Sequence, residues 1–244
     1  MKFCAVQTRP VKGNVSANID RHITLLHSAC DAGADAVFFP ELSITGYEPG
    51  LAAELACTQN DKRFAVFQNI ADVRQVTIGI GVPALSAEGV RVSMFVFQSG
   101  VLPQTYSKQL LHPDEEPFFL TGSGNLEFEV RGIKVAVVIC YEISDALITE
   151  QALNKGAEIY VASVAKSSEG LKRAFVTLAE TARKYRIPVL LANSIGPSDD
   201  FIAGGRSAVW NEKGELLAEM DGTGEGLAFY DFDTGVGSIF YAKL

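Results

Sequence analysis

The chain has 244 residues, of which 48% are hydrophobic, enough for one large core, and 29 acidic against 21 basic residues give it a net charge of −8. No basic run and no aromatic-interleaved Lys/Arg patch interrupts that balance, so neither nucleic acid nor an anionic membrane surface is an expected partner. Neither an export segment nor a membrane span is expected, since no run of about 18 apolar residues occurs, and Cys4, Cys30, Cys57 and Cys140 lack Cys-x-x-Cys spacing. A single domain over residues 1–244 is expected, cytoplasmic and with reduced thiols.

In chain order, Lys2 to Gln7 reads as a strand. A helix follows, with Ile19, Ile23, Leu26 and Cys30 as its buried stripe, Ser16 as N-cap and Gly33 as C-cap. His22 and His27 are expected on that helix's solvent surface. "ADAVFFPE" is a second buried strand, ending at Pro40 and Glu41. Three Gly-containing turns, in "VFQSGVLPQTY", "EVRGIKV" and "VWNEKGELLAEM", predict antiparallel hairpins. In "KVAVVICYEISDA", Val135, Val137 and Ile139 alternate with Ala136 and Val138, so both faces are apolar, as in a strand covered on both sides. Cys140 sits where that pattern stops. Leu171, Phe175, Leu178, Ala182 and Tyr185 mark a later helix.

The two halves echo each other: "KFCAVQT" pairs with "KVAVVIC", and "SACDAGADAVFFPE" with "QALNKGAEIYVASV". Two equivalent sheet units follow, and the fold expected is α/β, with two mixed sheets face to face and helices outside.

In such sheets ligands collect beyond the carboxyl ends of the strands, where Glu41 and Cys140 both stand. Lys108 follows the Gly100 hairpin and opens a segment rich in Pro and aromatics that suits a loop over a pocket mouth. A lysine and a glutamate at equal range push a thiol's pKa by about 4 kcal/mol in opposite senses. The thiol therefore stays protonated, and the carboxylate takes its proton as sulfur attacks a carbonyl carbon. Lys108 then meets the oxyanion. None of His22, His27 and His112 follows Cys140, which disfavours a Cys-His pair, and none has zinc-ligand spacing with a cysteine, so no metal and no cofactor is expected. "TGSGN" and "DGTGEG" lack the strand-to-helix setting of a phosphate cradle and read as turns. Phe118, Phe119, Tyr47 and Tyr141 flank the trio as candidate pocket residues.

In their order, "FFPELSITGY", "YSKQLLHPDEEPFF" and "VVICYEISDA" resemble the Glu-Lys-Cys carbon-nitrogen hydrolases of the nitrilase superfamily; "IPVLLANSIG" and "FIAGGRSAVWNEKGELLAEM" extend the resemblance over nearly the whole chain. The resemblance implies an α-β-β-α sandwich, with Glu41 as general base, Lys108 as oxyanion stabiliser, Cys140 as nucleophile and the Tyr141 N–H as second oxyanion donor. It also implies a second glutamate eight residues after the lysine, Glu116, with Glu115 as the neighbouring alternative. A homodimer or larger homo-oligomer is implied, joined through helices near residues 144–154 and 171–185.

Tyr141, where nitrilases tend to carry Trp, leans towards amides. Ser144, where relatives acting on ω-amides of keto acids carry Arg, leans towards a neutral far end. The leading expectation is a cofactor-free small-amide amidase working through a Cys140 thioester. An N-carbamyl compound hydrolase, a nitrilase and a catalytically silent binding protein are the alternatives, and a thiol redox or conjugating enzyme lacks a resolving cysteine.

Overall fold

The computed structural model describes residues 1–124 and 126–242, leaving the last residue of "TGSGN" outside. Its first half runs β1 (Lys2–Gln7), α1 (Val15–Asp31), β2 (Ala36–Phe38), α2 (Ala52–Leu55), α3 (Ala65–Arg74), β3 (Thr77–Leu85), β4 (Val90–Gln98) and β5 (Val101–Ser107). The second runs β6 (Phe128–Val130), β7 (Ile133–Ile139), α4 (Ala146–Leu153), β8 (Ile159–Val164), α5 (Ser168–Tyr185), β9 (Val189–Asn193), β10 (Ile195–Ser198), β11 (Phe201–Gly204), β12 (Ala208–Trp210), β13 (Leu216–Glu219), β14 (Gly226–Asp231) and β15 (Val236–Tyr241).

Two large mixed sheets carry the fold, with strand orders β15-β14-β1-β2-β3-β4-β5 and β13-β12-β9-β8-β7-β6. The parallel pairs β1–β2 and β7–β8 are the sequence echo made structural, each followed by a further parallel neighbour, β3 or β9. The predicted hairpins are β4–β5, β6–β7 and β12–β13. Period-2 alternation divides the strands between layers. Phe3, Ala5 and Phe38 meet Val135, Val137, Ile139 and Val161 between the sheets. The opposite faces take the helices: Cys4, Val6 and Val37 lie against α1 and α3, while Ala136, Val138 and Ala162 lie against α4 and α5. The result is the expected α-β-β-α layering.

α1 departs from its expected form in two ways. It begins at Val15, with Asn14 rather than Ser16 as its cap: the Asn14 side chain accepts from Ala17 N at 3.1 Å. Its buried face includes Asn18, His22, Leu25 and Ala29, so His22 is not on the surface. Both buried polar side chains have partners that account for their position. Asn18 Nδ2 donates to the carbonyls of Val11 and Ile44, each at 2.9 Å. His22 lies 2.9 Å from Ser43 Oγ and stacks on Phe39 at 4.0 Å. They tie α1 to the segment that carries Glu41.

Candidate active site

Glu41 leaves β2 on a tight turn pressed against β3. Ile44 N donates to Gly81 O at 3.1 Å, and a Cβ on Gly81 would meet Pro40 O at 2.2 Å and Leu42 N at 2.5 Å. Only glycine fits there. Leu42 takes a left-handed φ of 49°, a strain retained by the surrounding contacts. Lys108 follows β5, its backbone N–H donating to Val92 O at 2.9 Å. Cys140 follows β7 with φ 47° and opens a 3₁₀ turn over Cys140–Ser144, so the thiol projects from a strained strand-to-turn corner.

The structure brings these three residues together. Glu41 and Lys108 are buried and their side chains meet at 2.8 Å, while Glu41 Oε2 accepts from Ala165 N at 3.1 Å. Cys140 is half-buried above them, its Sγ 3.9 Å from Ala165 O. The carboxylate that the structure sets on Lys108 is that of Glu115, not that of the expected Glu116. Glu115 takes Lys108 Nζ on both oxygens, at 2.7 and 2.8 Å, and accepts from Tyr47 OH at 3.0 Å and His112 N at 2.8 Å. Glu116 is exposed. The turn that closes with Glu115 N donating to His112 O points position 115 inward and position 116 outward.

Two carboxylates share one ammonium in a buried setting, and burial leads the titration behaviour with the neighbouring charges after it. Burial raises the Glu41 carboxyl to about 7, opposed by Lys108 and reinforced by Glu115. Burial alone would lower Lys108, but Glu41, Cys140 once ionised, and Glu115 hold its ammonium above the ordinary lysine range. Burial and then Glu41 push the Cys140 thiol up to about 11, against Lys166 and Lys108. The resting thiol is protonated beside a carboxyl that ionises near neutrality.

A further buried glutamate, Glu142, went unassigned in the sequence. Glu142 accepts from Tyr106 OH at 2.9 Å and from the N–H groups of Gln109 and Ile139, both at 2.6 Å. It thereby ties the residue after Lys108 to the residue before Cys140. Its position in "CYE" was visible, but two of its three partners, Gln109 and Tyr106, lie 33 and 36 residues away.

A cleft of about 350 Å³ opens over Cys140, with Tyr47, His112, Asp114, Lys166, Ser167, Asp199, Asp200 and Phe201 in its walls. Of the expected pocket residues, Tyr47 lies in this wall. Tyr141 is outside the wall, its ring edge-on to that of His112 at 5.0 Å. Phe118 is 46% exposed and outside the wall; the neighbouring Phe119 enters the core instead. Ser144 lines a different depression, with Thr177, Lys184 and Tyr185. Lys166 was not singled out in the sequence, where it reads as a polar residue between a strand and a helix. Among the described residues, no group of three or more His, Cys, Asp or Glu side chains is arranged to hold a metal ion, and no helix is long and apolar enough to cross a membrane.

The model of the carbon-nitrogen hydrolase family matches residues 3–239. The chain is 29% identical over 239 residues to the glutamine-dependent NAD(+) synthetase of Acinetobacter baylyi, covering 95% of this chain and 44% of that protein. It is 25% identical over 243 residues to the probable nitrilase C965.09 of Schizosaccharomyces pombe, covering 95% of this chain and 88% of that one. Against the amidase of Nesterenkonia sp. AN1 the TM-score is 0.86 at 22% identity, over 95% of this chain and 92% of that one, a likeness of fold. The chain spans 39 to 47% of the length of the first three synthetases it matches.

Proposed function

From the premise that this chain belongs to the carbon-nitrogen hydrolase family, we propose that it is a cofactor-free amidase acting on small primary amides through a Cys140 thioester. The observation that carries this reading is the buried Glu41–Lys108–Glu115 cluster beside the half-buried Cys140 thiol.

Glu41, as carboxylate, takes the thiol proton while sulfur bonds to the amide carbon, and the carbonyl π pair moves onto oxygen. Lys108 Nζ then donates to that oxyanion, with the Tyr141 N–H as second donor. In the resting state all three Lys108 donors face carboxylate oxygens of Glu41 and Glu115. Protonation of Glu41 removes the charge that held one of them, so a donor is released in the step that creates the oxyanion. Collapse expels ammonia, which takes the proton back from Glu41. Water, deprotonated by the same carboxylate, then cleaves the thioester to the acid and restores the thiol. Glu115 acts by fixing Lys108.

The similarity to glutamine-dependent synthetases favours a second reading, in which the amide hydrolysed is that of glutamine. A homodimer belongs to the proposal as well: Leu147 of α4 and Val176 of α5 are 68% and 59% exposed on the helices expected to pair. Cytoplasmic residence is likewise proposed. Measuring ammonia release from matched primary amides, N-carbamyl compounds and nitriles tests the assignment. Turnover of primary amides well above the other two classes is expected; turnover of nitriles or N-carbamyl compounds alone overturns it.

A further inference from the structure

The cleft over Cys140 contains a cation that this chemistry does not use. Lys166 follows β8, and its backbone is fixed from both sides. Its N–H donates to Asn193 Oδ1 at 2.9 Å, and its carbonyl accepts from Asn193 Nδ2 at 3.0 Å and Gly204 N at 2.8 Å. From that anchored position the half-buried side chain forms part of the cleft wall beside Cys140. Other cations nearby are taken: Lys108 by Glu41 and Glu115, Lys12 by Glu48. Lys166 appears in no ion pair among the described residues. It opposes the rise of the Cys140 thiol ahead of Lys108, which fits an ammonium close to the sulfur.

We propose that Lys166 selects the substrate: its ammonium receives a carboxylate carried at the far end of the amide. This deepens the amidase reading and rests on it. An unpaired ammonium in a confined wall gains a charge-assisted hydrogen bond from such a group and from no neutral alkyl end. A cleft of about 350 Å³ has room for a small amide that carries a carboxylate at its far end. The missing arginine at Ser144 removes nothing here, because Ser144 lies in another depression. The other charged and titratable groups of the wall are His112, Asp114, Asp199 and Asp200, with Glu48 and Lys12 close to Asp199. Their net charge is negative, so an amide that carries an ammonium beside its carboxylate suits the cleft better than a bare acid.

The test compares kcat/KM for pentanamide, glutaramic acid and glutamine in the wild type, Lys166→Met and Lys166→Arg. The wild type should prefer both carboxylate-bearing amides to pentanamide. Lys166→Met should lower that preference about 10- to 100-fold, and Lys166→Arg should restore part of it. A wild-type preference for pentanamide, or an equal fall on all three amides in Lys166→Met, overturns the proposal; the equal fall would mean that Lys166 serves the thiol. If no amide releases ammonia the amidase reading fails, and glutarate binding to Cys140→Ala by calorimetry decides the carboxylate site separately. Binding that Lys166→Met abolishes in that background supports the site, and no binding refutes it.

Discussion

Replacing Glu115 by Gln probes the charge arrangement behind the thiol more sharply than removing a member of the trio. The substitution leaves shape and some hydrogen bonding but deletes one of two carboxylates on Lys108, at 2.7 and 2.8 Å, in a fully buried setting. Breaking a buried pair costs about 3–5 kcal/mol. Glu41 still neutralises Lys108, so the lower end, about 3 kcal/mol, applies. For a domain of this size that is a fall in Tm of roughly 6–12 °C.

A second readout separates charge from mere packing. Glu115 helps to hold the Glu41 carboxyl up near 7. The base must be ionised, so wild-type kcat/KM falls as pH drops through that region. Without the Glu115 charge, Glu41 ionises at lower pH, and the acid limb should move to lower pH. Calorimetric melting and a pH profile of ammonia release measure both effects. Glu116→Gln, at an exposed position, should change stability by less than about 0.5 kcal/mol and leave the limb in place. A larger effect from Glu116→Gln than from Glu115→Gln, or an acid limb that stays or moves upward in Glu115→Gln, would refute the reasoning.

Gly81→Ala should displace the Glu41 turn, because its Cβ would lie 2.2 Å from Pro40 O; kcat should fall by orders of magnitude together with Tm, and an unaltered kcat would count against this account of the turn. Glu142→Gln should weaken the link between Lys108 and Cys140, lowering stability by about 1–3 kcal/mol by urea titration, and a neutral result would remove that role. His22, lowered by burial to about 3, keeps fewer protons folded than unfolded between that value and its ordinary 6.5. Wild-type stability should therefore decline as pH falls through that window, and His22→Gln should flatten the decline; an unchanged slope in urea titrations assigns it to other groups. Dialysis against EDTA should leave ammonia release intact, and activity restored by a divalent ion would contradict the metal-free mechanism.

The strands that carry Glu41 and Cys140 were legible because each ends an apolar run whose period matches a covered strand, and the repeated helix-Gly-strand unit implied two equivalent sheets. Position 115 was not legible against 116. Sequence spacing does not say which of two adjacent acids a tight turn directs inward, and that turn depends on the His112 carbonyl. His22 was misjudged for a related reason. A histidine on a helix reads as solvated until its partner is known, and Ser43 lies 21 residues on. Glu142 and Lys166 are held by Tyr106, Gln109 and Asn193, residues of other strands and loops, so only the assembled sheets reveal their placement. Local period is readable in one dimension, whereas polar side chains that stitch distant segments together are not.

The central claim is that Cys140 forms an acyl-enzyme, and mass spectrometry of acid-quenched enzyme during turnover of a primary amide tests it most directly. The account predicts an adduct equal to the substrate minus ammonia on the peptide containing Cys140, with both adduct and ammonia release lost in Cys140→Ala. An adduct on Cys4, Cys30 or Cys57 alone, with ammonia release surviving in Cys140→Ala, would contradict it.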